Sequence, residues 1–429
     1  MAAIDYPGRF RTAHEVTTDV DISSDEFWNK SFSERDESFS RLREEAPVSW
    51  HPPRHAPEVP EQFQDAGFWA ITKNEDVTAI SQDHETYSSD LRRGGQGFRA
   101  IDWTRPRAST FLSMDPPDHT QYRKIMSAAF TPKAVAQLSE KINERAEQIV
   151  DRVQGIGDFD FVTEVSARLP MLTVADLVGV PESQVEAFAH AGDAAMGALD
   201  PEFMTEGVSH KQFVMQQVGI LTSIGVDIVD HRRRHPADDI ATALAQFEPD
   251  GRPLDADEIG SVMLLLSVAG NDTTKQTTSS TAIAFDRNPD QRAWLMEDFD
   301  RRIMKSIDEF VRYSSPVIEF ARSATRDVEL RGQQISEGDK LVIFYCSGNR
   351  DEEVWADADR FDLQRESRGH VGFGGGGVHY CLGNNVAKAQ LRALFSQILT
   401  RMPDLKIGEP DYLRSDFIHG PKHLPARSH

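Results

Sequence analysis

The chain has 429 residues, 39% hydrophobic and 27% charged, with 47 Lys plus Arg against 69 Asp plus Glu and a formal net charge of −22. That balance excludes disorder throughout, and the negative charge argues against nonspecific nucleic-acid binding, which depends on neutralising phosphates. Two cysteines, Cys346 and Cys381, are too few for a disulfide framework.

The N-terminus lacks a basic patch followed by an apolar run. The longest apolar stretch, about Val262 to Gly270, is roughly half a membrane span, so a cytoplasmic protein with no membrane span is expected. Residues 1–45 are polar, carry little pattern and read as a loosely packed lead-in with a short helix or two. A single domain is expected over 46–429. PVSW and GFWAITK read as short strands, and Asn74 as the cap of a short helix, EDVTAIS. Residues 88–110 are irregular and rich in Gly and Arg; a connection of that length is usually functional or mobile. Helical patterning begins at Asp118, restarts at Pro132 and dominates to about Arg322. VELRGQQISEGDKLVIFY then reads as a strand, a turn at Glu337-Gly338 and a second strand. A long connection over 349–380, a helix from about Leu382 to Thr400 and a strand-and-turn tail complete the chain. The fold class is mainly α with small β-sheets near both ends. The absence of β-α-β-α alternation weakens any doubly wound alternative.

Four constellations could carry chemistry. In GFGGGGVHYCLG, Gly372, Gly374 and Gly377 satisfy G-x-G-x-x-G by count. However, the loop follows a charged stretch rather than a strand, and no Asp or Glu lies between Gly377 and Thr400, against a dinucleotide site. Cys381 ends that glycine run just before a helix, where unpaired N–H groups favour a thiolate. Such a thiolate suits axial ligation of haem iron, and equally a catalytic nucleophile. The second constellation is Ala269-Gly270-Asn271-Asp272-Thr273-Thr274, inside a helical stretch from about Asp255 to Phe285. Thr273 can bond the carbonyl of Ala269 and bend the helix, and Asp272 with Thr273 could pass protons into the opening. The bland alternative is a helix-packing kink. Glu309 and Arg312 share a helix face, which on its own is more often a surface ion pair. Finally, His119, Arg123, Arg322 and His379 are scattered cations that together could clamp two carboxylates.

In this order the four features resemble a cytochrome P450, a haem-thiolate monooxygenase, over about residue 46 to the C-terminus. The resemblance implies a long central helix over a haem b, with Cys381 as the proximal iron ligand. Ala269, Gly270, Phe373 and Gly383 would line the cofactor, and His119, Arg123, Arg322 and His379 would hold its propionates. Asp272 and Thr273 match the acid-alcohol pair that delivers protons during dioxygen cleavage. Glu309 and Arg312 match the structural pair beneath the haem, with Arg360 of ADRF as third partner, although Ala358 replaces the usual proline. One extra glycine sets Phe373 eight residues before Cys381 rather than seven. That longer loop and the tail SDFIHGPKHLP are similar to bacterial enzymes that hydroxylate methyl-branched lipids and sterol side chains at a terminal carbon. The resemblance further implies a hydrophobic substrate (a branched lipid, a sterol side chain or a terpenoid), O2 as oxidant and electrons from NAD(P)H through a reductase and a ferredoxin. The ferredoxin would dock on a local basic patch drawn from Lys124, Lys133, Lys388 and Arg392. Three alternatives remain: a natural-product (polyketide or peptide) tailoring hydroxylase, a non-catalytic haem ligand-binding protein, and a cysteine-nucleophile hydrolase. Cys346, in LVIFYC, is expected to be core.

Overall fold

The protein is described here by a computed structural model covering residues 13–55, 64–90, 98, 111–205, 207–366 and 369–429. The chain divides into two compact units. One takes in the described residues up to 121 with 317–360 and 369–381; the other takes in 122–316, 361–366 and 382–429. Of the irregular segment 88–110, only 88–90 and Phe98 fall among the described residues.

The first unit is built on a five-stranded sheet in the order Val48–His51, Phe68–Ile71, Lys340–Phe344, Glu319–Ala324, Tyr87–Ser88. Phe68–Ile71 runs parallel to Lys340–Phe344, and every other pairing is antiparallel. Both of these strands are buried along their whole length and, apart from Lys340, apolar, as strands covered on two faces must be. The strand Glu319–Ala324 lies where helical patterning was expected to continue to Arg322. A further hairpin pairs Val328–Leu330 with Gln333–Ile335. Its turn residues, Arg331 (φ 49°) and Gly332 (φ 78°), adopt the left-handed conformation of a tight hairpin. The expected single turn at Glu337-Gly338 is therefore the second of two.

Asn74 is not a cap: it is the first residue of the helix Asn74–Gln82, whose preceding Lys73 offers no side-chain cap. Asp351 takes that role, its Oδ2 accepting the Asn74 N–H at 2.9 Å. The expected loose lead-in also supplies core. Ser31 and Glu34 form a capping box on the helix Phe32–Glu45. Phe27, Trp28, Phe39 and Leu42 are buried in one cluster with Phe68 and Phe344.

The second unit is helical. Its long central element is the helix Ala256–Ser267, a wider π turn over Val268–Asp272, and the helix Thr273–Arg287. An Asp255/Glu258 capping box starts it. The helix His210–Arg234 packs closely against it through glycines. A Cβ on Gly260 would stand 2.1 Å from Thr222 Oγ1, and one on Gly225 would stand 2.5 Å from Met263 Cγ. His210–Arg234 is also the one helix, among the described residues, long and apolar enough by length and composition to cross a membrane. Its Phe213, Leu221, Ile224 and Ile228 are buried at the three- and four-residue spacing of a core-facing stripe. Phe285, Phe310, Phe361 and Phe395 pack ring against ring, with centroids 5.2–6.1 Å apart, and seat the helix Phe299–Ser314. The C-terminal strand Pro425–Ser428 pairs with both Gly157–Asp160 and Lys406–Ile407.

Candidate active site

The glycine loop of the first unit is shaped by the end of the helix Asn74–Gln82. A Cβ on Gly377 (φ 70°) would stand 2.3 Å from the Ser81 carbonyl oxygen, and one on Gly375 would stand 2.7 Å from Ser81 Oγ. Gln82 Nε2 donates to the Gly375 carbonyl at 3.1 Å. Only glycines allow the loop backbone to lie this close. The additional glycine is absorbed in this bulge, and the loop closes with the Cys381 N–H donating to the Phe373 carbonyl at 2.9 Å. Phe373 is buried, its ring 6.5 Å from that of Tyr380. The Cys381 side chain is half-buried, whereas Cys346 is fully buried and its thiol is pushed up to about 12 by burial. Cys346 lies just past the strand, in the short helix Tyr345–Gly348. Its thiol stays protonated, whereas Cys381 is only partly buried.

Three of the expected cations belong to the same unit. His119 is buried and meets His379 edge to face at 4.5 Å between ring centroids. Arg322 is 5% exposed; it donates to the Ala321 carbonyl at 2.8 Å and lies beside the Tyr345 hydroxyl. No carboxylate pairs with it among the described residues. A buried guanidinium without an anion is costly, so Arg322 fits a carboxylate brought by a ligand. Arg123 is half-buried, one helical turn beyond His119 on the helix Asp118–Ser127.

In the second unit the central helix is irregular where a bend was expected. Thr273 Oγ1 donates to the Ala269 carbonyl at 2.9 Å, and the turn there is widened rather than merely kinked. Ala269 is exposed, and Gly270 and Thr273 are half-buried, in the middle of an otherwise buried element. The widened turn therefore borders open space with Thr273 at its edge. Gly270 answers to packing: a Cβ there would stand 2.4 Å from Val174 Cγ2 of the helix Arg168–Val178. At Gly383 the nearest atom to a Cβ would be Phe130 Cε1 at 3.9 Å, so protein packing does not require glycine there.

Asp272 is buried, with Lys275 Nζ 2.5 Å from its Oδ1, while Oδ2 has no hydrogen-bond partner among the described residues. Burial drives its carboxyl well above the usual carboxylate range and Asp193 adds to the rise, while Lys275 opposes it. Lys275 in turn is held 3.1 Å from Asp193.

Glu309 and Arg312 form a closed, buried pair rather than a surface one. Arg312 Nε and Nη2 donate to Glu309 Oε2 and Oε1 at 2.7 and 2.8 Å, and the Asp362 N–H donates to Oε1 at 2.9 Å. The third member is Arg365, whose Nε lies 3.6 Å from Glu309 Oε1; Arg360, the expected partner, is exposed. Phe361 is buried in the aromatic cluster, and the chain after it brings Asp362 and Arg365 to Glu309. The DLQR motif at 362–365 carried that signal. Asp193 and Lys275 were also missed. Lys275 is visible one turn beyond Asp272, but Asp193 lies 78 residues from Asn271 and meets it only through folding.

Residues 207–403 match a family model described as cytochrome P450. The chain is 36% identical over 414 residues to the methyl-branched lipid omega-hydroxylase of Mycobacterium tuberculosis (strain CDC 1551 / Oshkosh), covering 95% of this chain and 94% of that protein. It is 38% identical over 390 residues to the steroid C26-monooxygenase of Mycobacterium bovis (strain ATCC BAA-935 / AF2122/97), covering 90% and 87%. Among solved structures, a Mycobacterium marinum cytochrome P450 in complex with pseudoionone superposes with a TM-score of 0.92 at 40% identity, covering 97% of this chain and all of that one. Fold and likeness together define a haem-thiolate monooxygenase. The chain belongs to the cytochrome P450 family.

Proposed function

We propose that the protein hydroxylates a hydrophobic substrate, a methyl-branched lipid or a sterol side chain, using haem b, O2 and electrons from NAD(P)H passed through a reductase and a ferredoxin in the cytoplasm. The substrate class follows the names of the two curated relatives. The observation that carries a catalytic rather than a merely ligand-binding role is the widened turn at Val268–Asp272, with a buried acid and a helix-bending threonine beside an exposed Ala269.

When bound, the haem supplies an electron-rich iron on which dioxygen is split. Cys381 is the residue that would hold the haem iron through its thiolate, on a loop closed by the bond from its own N–H to the Phe373 carbonyl. Arg322, His119, His379 and Arg123 are the proposed holders of the two propionates, and the buried Arg322 gains the anion it lacks. Ala269, Gly270, Phe373 and Gly383 are the residues that would offer backbone or apolar surface to a bound haem. Asp272 holds a proton and hands it towards Thr273 Oγ1, and that hydroxyl passes it on into the opening. Glu309, Arg312 and Arg365 hold the helix beneath in place.

For the ferredoxin surface, Lys388 and Arg392 are already engaged, 2.7 Å from Asp308 and 3.0 Å from Asp300. Lys124 and Lys133 are exposed and make no ion pair among the described residues. They are the stronger candidates for an acidic partner.

The test is an optical titration of the ferric enzyme with a cholestenone, a methyl-branched fatty acid, a monoterpenoid and a macrolide, followed by product analysis. A saturable low- to high-spin shift with the sterol or the branched acid, and hydroxylation of it, is expected. A shift with only the macrolide would sink the lipid assignment in favour of natural-product tailoring. A Cys381→Ser variant that keeps the thiolate spectrum of its reduced carbon-monoxide complex would refute the ligand.

A further inference from the structure

The helix Val185–Met196 is fastened to the central helix at consecutive residues. A Cβ on Gly192 would stand 2.0 Å from Ser267 Oγ, so the two backbones approach as closely as only glycine permits. The next residue, Asp193, accepts from Asn271 Nδ2 at 2.7 Å and holds Lys275 Nζ at 3.1 Å. Ser267, Asn271 and Lys275 are spaced by four and lie along one face of the central helix. Asp193 thus spans the widened turn, gripping one residue inside it and one beyond it. Lys275 closes the circuit onto Asp272 Oδ1 at 2.5 Å.

We infer that Asp193 and Lys275 are positioning residues for Asp272: they fix where its carboxyl points and set the pH at which it gives up its proton towards Thr273. This rests on the reading of Asp272 as the proton source. The cluster holds two carboxylates and one ammonium, with Asp272 and Lys275 buried and Asp193 half-buried. With every group ionised it carries one excess negative charge in a low-dielectric setting, which favours keeping a proton. The other packed element, the helix Arg168–Val178, meets the turn through Val174. Its own charges are engaged elsewhere, Arg168 with Glu164 and Asp176 with Lys141 and Arg145. Among the described residues, Lys275 and Asp193 are therefore the groups that face Asp272 with charge. Because Asp193 sits on a different helix, displacement of Val185–Met196 alters the proton source directly.

The test uses the haem-loaded enzyme and the infrared band of the protonated Asp272 carboxyl, assigned by its loss in Asp272→Asn and followed against pH. Lys275→Met removes the cation and leaves two facing carboxylates, so the midpoint rises by about one pH unit or more, a tenfold gain in proton affinity. Asp193→Asn removes the competing charge, and the midpoint falls by a similar amount. Lys275→Arg keeps the charge and holds the midpoint near wild type. The pH at which product per NAD(P)H is half-maximal moves in the same directions. A purely structural pair would lower the melting temperature and leave every midpoint in place; midpoints unmoved in both Lys275→Met and Asp193→Asn overturn the inference. Midpoints that move while the pH profile of coupling stays fixed would instead refute Asp272 as the proton source.

Discussion

Glu309 and Asp272 are both buried carboxylates with a cation three residues further along a helix, and they differ in how far they are satisfied. Glu309 has both oxygens occupied, by a planar guanidinium in two parallel bonds and by a backbone N–H, with Arg365 nearby. Asp272 has one oxygen on a flexible ammonium and the other without a partner among the described residues. A fully satisfied buried network is rigid and specifies one geometry, whereas a partly satisfied one holds a charge state that small changes can tip. Thus one i, i+3 spacing forms a closed network in the helix Phe299–Ser314 and an open one in the central helix.

The largest test of that contrast is to break the closed pair. Arg312→Leu leaves Glu309 buried with its main partner gone, and loss of a buried partner costs about 3–5 kcal/mol. Urea unfolding should show a loss of that order, or the folded protein should fail to accumulate. A loss below about 1 kcal/mol would mean that the pair is not the scaffold claimed.

A closed but neutral site gives the next effect. Buried His51 meets Ser49 Oγ at 2.8 Å and stacks on Phe68, and burial lowers its pKa from 6.5 to about 4. The folded state therefore binds fewer protons than the unfolded state between these two values. The stabilisation is whole above about 6.5 and is lost as pH falls towards 4. At about 1.4 kcal/mol per unit, the loss approaches about 3 kcal/mol. Urea midpoints at pH 7 and 4.5 should draw apart in wild type and converge in His51→Phe; equal slopes in both would break the assignment.

The smallest effects belong to exposed pairs. Charge reversal of Lys124 and Lys133 should slow reduction by a ferredoxin several-fold at low salt, more than reversal of Lys388 and Arg392, whose charges are already matched. Either double variant should change stability by less than about 1 kcal/mol. The opposite ranking of the reduction rates would move the docking surface.

Much of both clusters was legible because helical spacing is local. Glu309 with Arg312, and Ala269 with Thr273, can be paired by counting residues, and so could Asp272 with Lys275. What escaped depended on folding back. Asp193 comes from a different helix, and Arg365 replaced Arg360 because the irregular chain after the buried Phe361 sets which arginine returns to Glu309. The same holds for the fold. The strands PVSW and GFWAITK stood out by composition, but the Arg331-Gly332 turn is set by two left-handed residues, one of them an arginine that gives no such signal. The early aromatics at 27, 28 and 39 are too sparse to show a period, yet they complete a core cluster with Phe344. The glycine loop showed its cysteine, but not that its bulge lies against Ser81 and Gln82.

The most direct measurement is product formed per NAD(P)H consumed by Asp272→Asn beside wild type, with urea unfolding of both. The expected result is a clear loss of coupling, with the rate of product formation down about 100-fold and stability within about 1 kcal/mol of wild type. Wild-type coupling in Asp272→Asn would contradict the assignment of the open cluster as the proton source.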